Sequence, residues 1–161
     1  MNKPLIIKDS REHEGHGYDY PEDDTFAGTK IEKLSVGDYA VDGLQHLIFI
    51  DRKKTSSELA NNISEARFEK LLQKASKYKY RYLLMEFDLE DIYQFPLNSG
   101  IPVRFFKRCK IKPAFLASYL ARIAIDYDIN LIFAGNAEQA EKFCYALLKR
   151  IYKTECLKEK S

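Results

Sequence analysis

Leu47-Ile48-Phe49-Ile50 is an apolar run, β-branched and aromatic, that continues without a break into Asp51-Arg52-Lys53. Such a run reads as a buried strand, and the charged residues then stand at its end. Because side chains alternate along a strand, Asp51 and Lys53 share one face and Arg52 takes the other. Upstream, Leu34 to Val41 reads as an extended piece interrupted by Gly37. Gly43 marks a tight link to the next strand. The two pieces are expected to form a hairpin that sets Asp38 beside Asp51.

The resulting pattern is Asp38, twelve residues, Asp51, one residue, Lys53. Two hard carboxylates with one lysine suit a magnesium or manganese ion working on a phosphodiester. Each part alone is commonplace. The chain holds 26 Lys and Arg and 24 Asp and Glu, so an isolated Asp-x-Lys carries little weight. Asp38 after Gly37 alone would be a turn aspartate, and Lys53 and Lys54 alone would be surface lysines. Order and setting therefore carry the signal.

That order extends further. LIIKDSRE (Leu5 to Glu12) puts Asp9, Arg11 and Glu12 behind an apolar strand; GDY spans Gly37 to Tyr39; DRK spans Asp51 to Lys53. Arg67-Phe68 falls in a helical stretch, LLMEFD (Leu83 to Asp88) ends a strand in acid, and NLIFAGNAEQAEKF follows later. Together these resemble the nuclease domain of the XPF family of structure-specific DNA endonucleases, over nearly the whole chain. The resemblance implies a restriction-endonuclease-like α/β fold, a mixed central sheet flanked by helices on both faces. It implies Mg2+ or Mn2+ as cofactor, held by Asp9, Asp38, Asp51 and a backbone carbonyl beside Asp51. The catalytic set it implies is Asp38, Asp51, Lys53 and Arg52, with Lys53 orienting the attacking water. It also implies a branched or single-strand/double-strand junction as substrate, and a homodimer through the strand and helix ending the chain, Ala137 to Tyr152.

Three positions depart from the family's pattern. Asp51 stands where glutamate is usual, Ser57 where an aspartate is common with Glu58 one step on, and Leu71 where a glutamine is usual. The helix-hairpin-helix module common after such domains finds no room within these residues, so the expected DNA grip comes from the core or a partner. The rival expectations are a non-catalytic DNA-binding or scaffolding module of the same fold, and a superfamily nuclease acting on another nucleic acid.

At 161 residues, with 45% apolar and 31% charged, one soluble domain over residues 1–161 is expected. No stretch reaches the length of a membrane span, and the apolar run near the N-terminus is too short for a secretory signal, so an intracellular place is expected. The three cysteines, Cys109, Cys144 and Cys156, lack paired spacing and point to neither disulfides nor zinc. Net charge is only +2, but its distribution is uneven. Acids crowd Glu12 to Asp24, whereas Arg104, Lys107, Arg108, Lys110 and Lys112 form a run without an acid. That run, with Phe105 and Phe106 inside it, is a candidate track for a phosphate backbone. Arg11, Arg67, Arg104, Lys107 and Arg108 are the candidate DNA contacts; Arg11 and Arg52 suit either phosphate contact or pairing with the carboxylates. Arg67, near the apolar side of its helix, needs an acidic or phosphate partner there.

Strands are expected over Pro4 to Lys8, Thr29 to Leu34, Asp38 to Val41, Leu47 to Asp51, Tyr82 to Phe87 and Asn130 to Ala134, the first few as a meander. One long helix capped by Ser56 or Ser57 is expected to carry Leu59, Ile63, Ala66, Leu71, Ala75 and Tyr78. Helices over Ala114 to Tyr127 and Ala137 to Tyr152 complete the set. Asp88 to Pro113 reads as irregular, and Lys153 to Ser161 as a frayed end. His13 and His16 are assigned to a loop, Tyr39 to packing, and Glu12 and Glu86 to either a structural or an active-site role.

Overall fold

Phe49 and its neighbours decide the architecture. In this computed structural model, which describes residues 2–12 and 16–161, Ile48, Phe49 and Ile50 are all essentially inaccessible. They belong to a strand of Ile48–Lys53 whose two faces enter two different cores. The strands in chain order are β1 (Ile6–Asp9), β2 (Thr29–Glu32), β3 (Tyr39–Val41), β4 (Ile48–Lys53), β5 (Tyr80–Met85) and β6 (Asn130–Phe133). The helices are α1 (Ser56–Ile63), α2 (Ala66–Ala75), α3 (Leu89–Tyr93), α4 (Pro113–Asp126) and α5 (Ala137–Glu159).

β4, β5 and β6 form one parallel sheet; β2, β1 and β3 form another, with β1 parallel to β2 and antiparallel to β3. The two meet where the Asp38 N–H donates to the Ile50 carbonyl (2.7 Å) and the Asp38 carbonyl accepts from the Asp9 N–H (2.8 Å). Phe49 joins Leu59, Phe68, Leu72, Leu83, Met85, Leu116 and Leu120 on the side covered by α1, α2 and α4. Ile48 and Ile50 join Ile7, Tyr39, Leu84, Cys144 and Leu148 on the side covered by α5. Each such fully buried side chain stabilises the fold by about 1.5–3 kcal/mol. This is the expected α/β arrangement, a mixed set of strands with helices on both faces.

Several local expectations need correction. The opening strands are no meander: β1 and β2 run parallel, so the intervening polar segment crosses over rather than turning back. β3 and β4 are adjacent through Asp38 but β3 pairs with β1, not with β4 as a hairpin. The long helix is two helices. Short i→i+3 bonds from Ser64 N–H to Asn61 and from Glu65 N–H to Asn62 close α1, and Ser64 Oγ donates to the Ala60 carbonyl (3.1 Å). Its cap is Thr55 rather than Ser56 or Ser57: Thr55 Oγ1 accepts from Glu58 N–H, and Glu58 reaches back to Lys54 N–H (2.9 Å). Asp88 to Pro113 contains α3 and a 3-10 turn over Val103–Arg108. Finally, α5 runs to Glu159, because Glu155 accepts from both Lys79 Nζ and Tyr80 Oη at 2.6 Å and ties its last turns to β5. None of the described helices is long and apolar enough to cross a membrane.

Candidate active site

Gly37 is the first requirement of the site. Its φ is +79°, and a Cβ there would lie 3.0 Å from the Ile50 carbonyl oxygen and 3.2 Å from the Ile50 nitrogen. Only glycine lets this backbone press so closely on β4. Asp38 follows at once and is held on every side: its amide and carbonyl bridge β4 and β1, and its Oδ2 accepts from the Arg52 N–H (2.7 Å). The expected neighbourhood of Asp38 and Asp51 is therefore present, built by this bridge rather than by a hairpin ladder. Burial, then the negative charge of Asp51, pushes the Asp38 carboxyl well above the ordinary aspartate range.

Asp51 and Lys53 share the α1/α2 face of β4, both nearly buried, with Lys53 Nζ 2.8 Å from Asp51 Oδ2. Burial pulls the Lys53 ammonium down, but Asp51 more than offsets it, so the lysine stays charged. Its charge also sits 5.5 Å from the centre of the Phe68 ring. Asp51 Oδ2 is buried and, despite the ion pair, accepts no aligned hydrogen bond. An oxygen left in this state, next to a second carboxylate that resists ionisation, fits a divalent cation. Among the described residues no group of three or more acid, histidine or cysteine side chains is arranged to hold one. The donor set is a pair of carboxylates, which suits an ion that keeps several waters.

Asp9 is placed otherwise. It is fully buried, Oδ1 accepts from the Leu34 N–H (2.7 Å), and Oδ2 accepts from the Arg11 backbone (3.1 Å) and Nε (2.5 Å). Its oxygens are already engaged, so a ligand role would require Arg11 to leave. Arg11 itself, largely exposed, feels Asp9 first and then Asp38 and Asp51, which together raise its pKa. It leans over the carboxylates without neutralising Asp51.

Arg52 turns to the opposite face, toward α5. There it lies 2.5 Å from Glu12 Oε2 and 3.2 Å from Glu86 Oε2, while the Tyr18 hydroxyl donates to Glu86. Its side chain is only 13% exposed. Of the two contacts open to Arg52, phosphate or carboxylate, its guanidinium makes the second here, clamped on Glu12 and Glu86 on the face of β4 away from Asp51. Tyr39 packs as expected, stacked on Tyr18 at 5.1 Å, its hydroxyl accepting from the Tyr18 N–H. His16 lies in the polar segment as assigned; His13 lies outside the described residues.

An open groove of about 390 Å3 runs over Asp51 and Lys53, bordered by Arg11, Asn62, Glu65, Arg67, Phe68 and Leu71. Arg67 is not on the apolar side of its helix: it opens α2, is 82% exposed, and pairs with Glu65. The break between α1 and α2 places both at the groove. Asn62, Glu65 and Phe68 were not singled out for the site from sequence; Phe68 stood in the Arg-Phe pair, and Glu65 two residues from Arg67 was the available signal. A larger cleft, about 480 Å3, lies by Tyr20, Glu141 and Tyr145, but Asp19, Asp23 and Glu138 around it repel a polyanion. Arg104, Lys107 and Arg108 are exposed on the 3-10 turn, apart from the groove-lining residues.

Comparison with known proteins agrees with this fold. XPF from Aeropyrum pernix superposes with a TM-score of 0.60 at 19% identity over 89% of this chain and 64% of that one. The same protein in complex with DNA gives 0.62 at 19% identity over 95% and 66%. This chain thus spans just under two thirds of the chains it matches, with which it shares the fold. A comparison with curated protein sequences gives no match. The family model of the ERCC4 domain matches residues 9–147, from the first buried aspartate to the middle of α5, and the chain belongs to the ERCC4-domain family.

Proposed function

We propose that the chain is a divalent-metal-dependent DNA endonuclease that cuts phosphodiesters at branched or single-strand/double-strand junctions. The observation that carries this reading is the buried Asp51 Oδ2, ion-paired with a charged Lys53 but accepting no aligned hydrogen bond, beside a carboxyl at Asp38 that resists ionisation. Asp38 and Asp51 would hold Mg2+ or Mn2+, which supplies a water of lowered pKa and neutralises charge on the phosphate. Lys53 keeps its proton and donates a hydrogen bond to the water or to the oxygen that gains charge as the phosphorus becomes five-coordinate. Arg11 and Arg67 stand on the groove's border as forks for flanking phosphates. Asp9 acts through Arg11, whose position it sets from below. Such a substrate places the protein inside the cell. The edge strand β6 and helix α5 form the surface for a second copy.

The test is cleavage of a panel of flaps, forks, four-way junctions and linear duplexes in magnesium, in manganese and in chelator. Branched substrates are expected to be cut only with metal, and Lys53→Ala and Asp38→Asn to lose on the order of 10²–10³-fold in rate. Binding without cutting in either metal would assign a scaffold instead, and variants as fast as the parent would place the chemistry elsewhere.

A further inference from the structure

Five cations stand between Arg104 and Lys112 without an intervening acid, and all five are exposed. Among the described residues none of them forms an ion pair. Arg11, Arg52, Arg67, Arg81 and Arg122, by contrast, each hold a carboxylate. Uncompensated charge of one sign over so short a span repels itself unless an anion answers it. Two of the five are not loose. The Arg104 and Arg108 guanidiniums lie 4.8 Å and 5.2 Å from the centre of the half-buried Phe105 ring, one ring serving both. A guanidinium resting on a ring face keeps its N–H edge free, and arginine held this way surrenders less rotamer entropy when it grips a phosphate.

Beside this turn, against α1, is a cleft of about 220 Å3. Ala60, Phe95, Ile101 and Ile111 supply apolar wall; Ser57, the exposed Asn61 amide, Arg108, Cys109 and Lys110 complete it. A slot with apolar walls, an amide and a hydroxyl, bordered by cations, matches an unpaired base: the faces are apolar and the edge carries donors and acceptors. Duplex DNA offers no such free face.

We propose that the 103–112 turn and this cleft bind a single-stranded stretch of DNA. An unpaired base enters the cleft, and Arg104, Arg108 and Lys110 hold the neighbouring phosphates. This rests on the nucleic-acid reading above and adds to it a second contact, apart from the groove, that grips the unpaired arm of a junction. Phe105 is the positioning residue for both arginines.

The test is fluorescence anisotropy of a labelled single strand of about 12 nucleotides, a span one small domain covers, in chelator so that no cutting occurs. The parent is expected to prefer the single strand to a matched duplex. It is also expected to lose roughly fivefold to hundredfold for a strand whose central nucleotides lack bases, the worth of one stacked base. Arg104→Gln with Arg108→Gln lowers the salt slope by about 1.4, two phosphates on a single strand. Asn61→Phe, which fills the cleft from an exposed position, erases the difference between normal and abasic strands. Phe105→Leu weakens binding and Phe105→Tyr restores it, a contrast that packing alone does not produce. An unchanged slope in the double variant, equal binding of abasic strand by the parent, or displacement of DNA by polyglutamate at equal charge overturns the site. A parent that never cuts yet binds this way ends the nuclease reading alone; a parent that cuts while the double variant binds strand like the parent ends this one alone.

Discussion

Arg52 shows how a single side chain divides chemistry from architecture. Its backbone N–H supports Asp38 on the site, while its guanidinium neutralises Glu12 and Glu86 on the far face of β4. Removing it leaves the buried Glu86 with only the Tyr18 hydroxyl and the half-buried Glu12 without its cation, so Arg52→Ala is expected to cost about 3 kcal/mol in urea denaturation. A merely catalytic arginine would leave that curve unmoved. Asp38 behaves in the opposite sense. Its carboxyl binds a proton more tightly folded than unfolded, so its contribution to stability is full below the unfolded aspartate pKa, about 3.9, and lost as pH rises through the folded one. In chelator at neutral pH, Asp38→Asn is therefore expected to raise the melting temperature by roughly 2–4 °C, a gain that shrinks on acidification; calorimetry across pH reads it. Asp51 and Lys53 were legible in sequence because strand alternation is local. The partners of Arg52 were not, since Glu12 and Glu86 stand 40 and 34 residues away.

At the level of elements, periodicity found strands and helices wherever one buried face repeated. It failed where tertiary partners decide the ends. The apolar spacing from Leu59 to Tyr78 hid the stop at Ser64, and the polar tail of α5 hid the anchorage of Glu155. The separate α2 is itself fixed by Glu69, which accepts from Tyr119 (2.9 Å), from Tyr127 and from Arg122, fastening it to α4. Those hydrogen bonds, Tyr127's first, lower the Glu69 pKa. Its stabilisation is present above the unfolded glutamate value, about 4.3, and is lost as pH falls through the depressed one. Glu69→Gln is expected to cost about 1 kcal/mol at neutral pH, discounted for partial exposure. The parent–variant gap closes in acid, as thermal melts at stepped pH would register. Because α2 carries Arg67 and Phe68, loosening it also slackens one wall of the groove.

For the molecule as a whole, the fold class and the order of site motifs could be read from residues alone, whereas the split into two three-stranded sheets could not: parallel pairing of β1 and β2 depends on a crossover whose path leaves no periodic trace. The open edge of β6 and the exposed Ile125, Phe143 and Leu157 on the helices around it leave apolar surface uncovered. A second copy seated there predicts a monomer–dimer equilibrium in sedimentation, shifted to monomer by Leu157→Glu; one species of monomer mass at every concentration would end it.

One consequence follows from the seam at Asp38. The same aspartate proposed to hold the cation also rivets the two half-sheets, through its amide to Ile50 and its carbonyl to Asp9. A descendant without the proposed cutting activity would still be compelled to keep the rivet's backbone and the glycine before it, for masonry alone. Among the described residues the Lys53 side chain holds no main-chain group, whereas the Asp38 carboxylate also accepts from the Arg52 N–H, so replacement of Lys53, rather than of Asp38, is the scar by which a retired copy of this domain would be known.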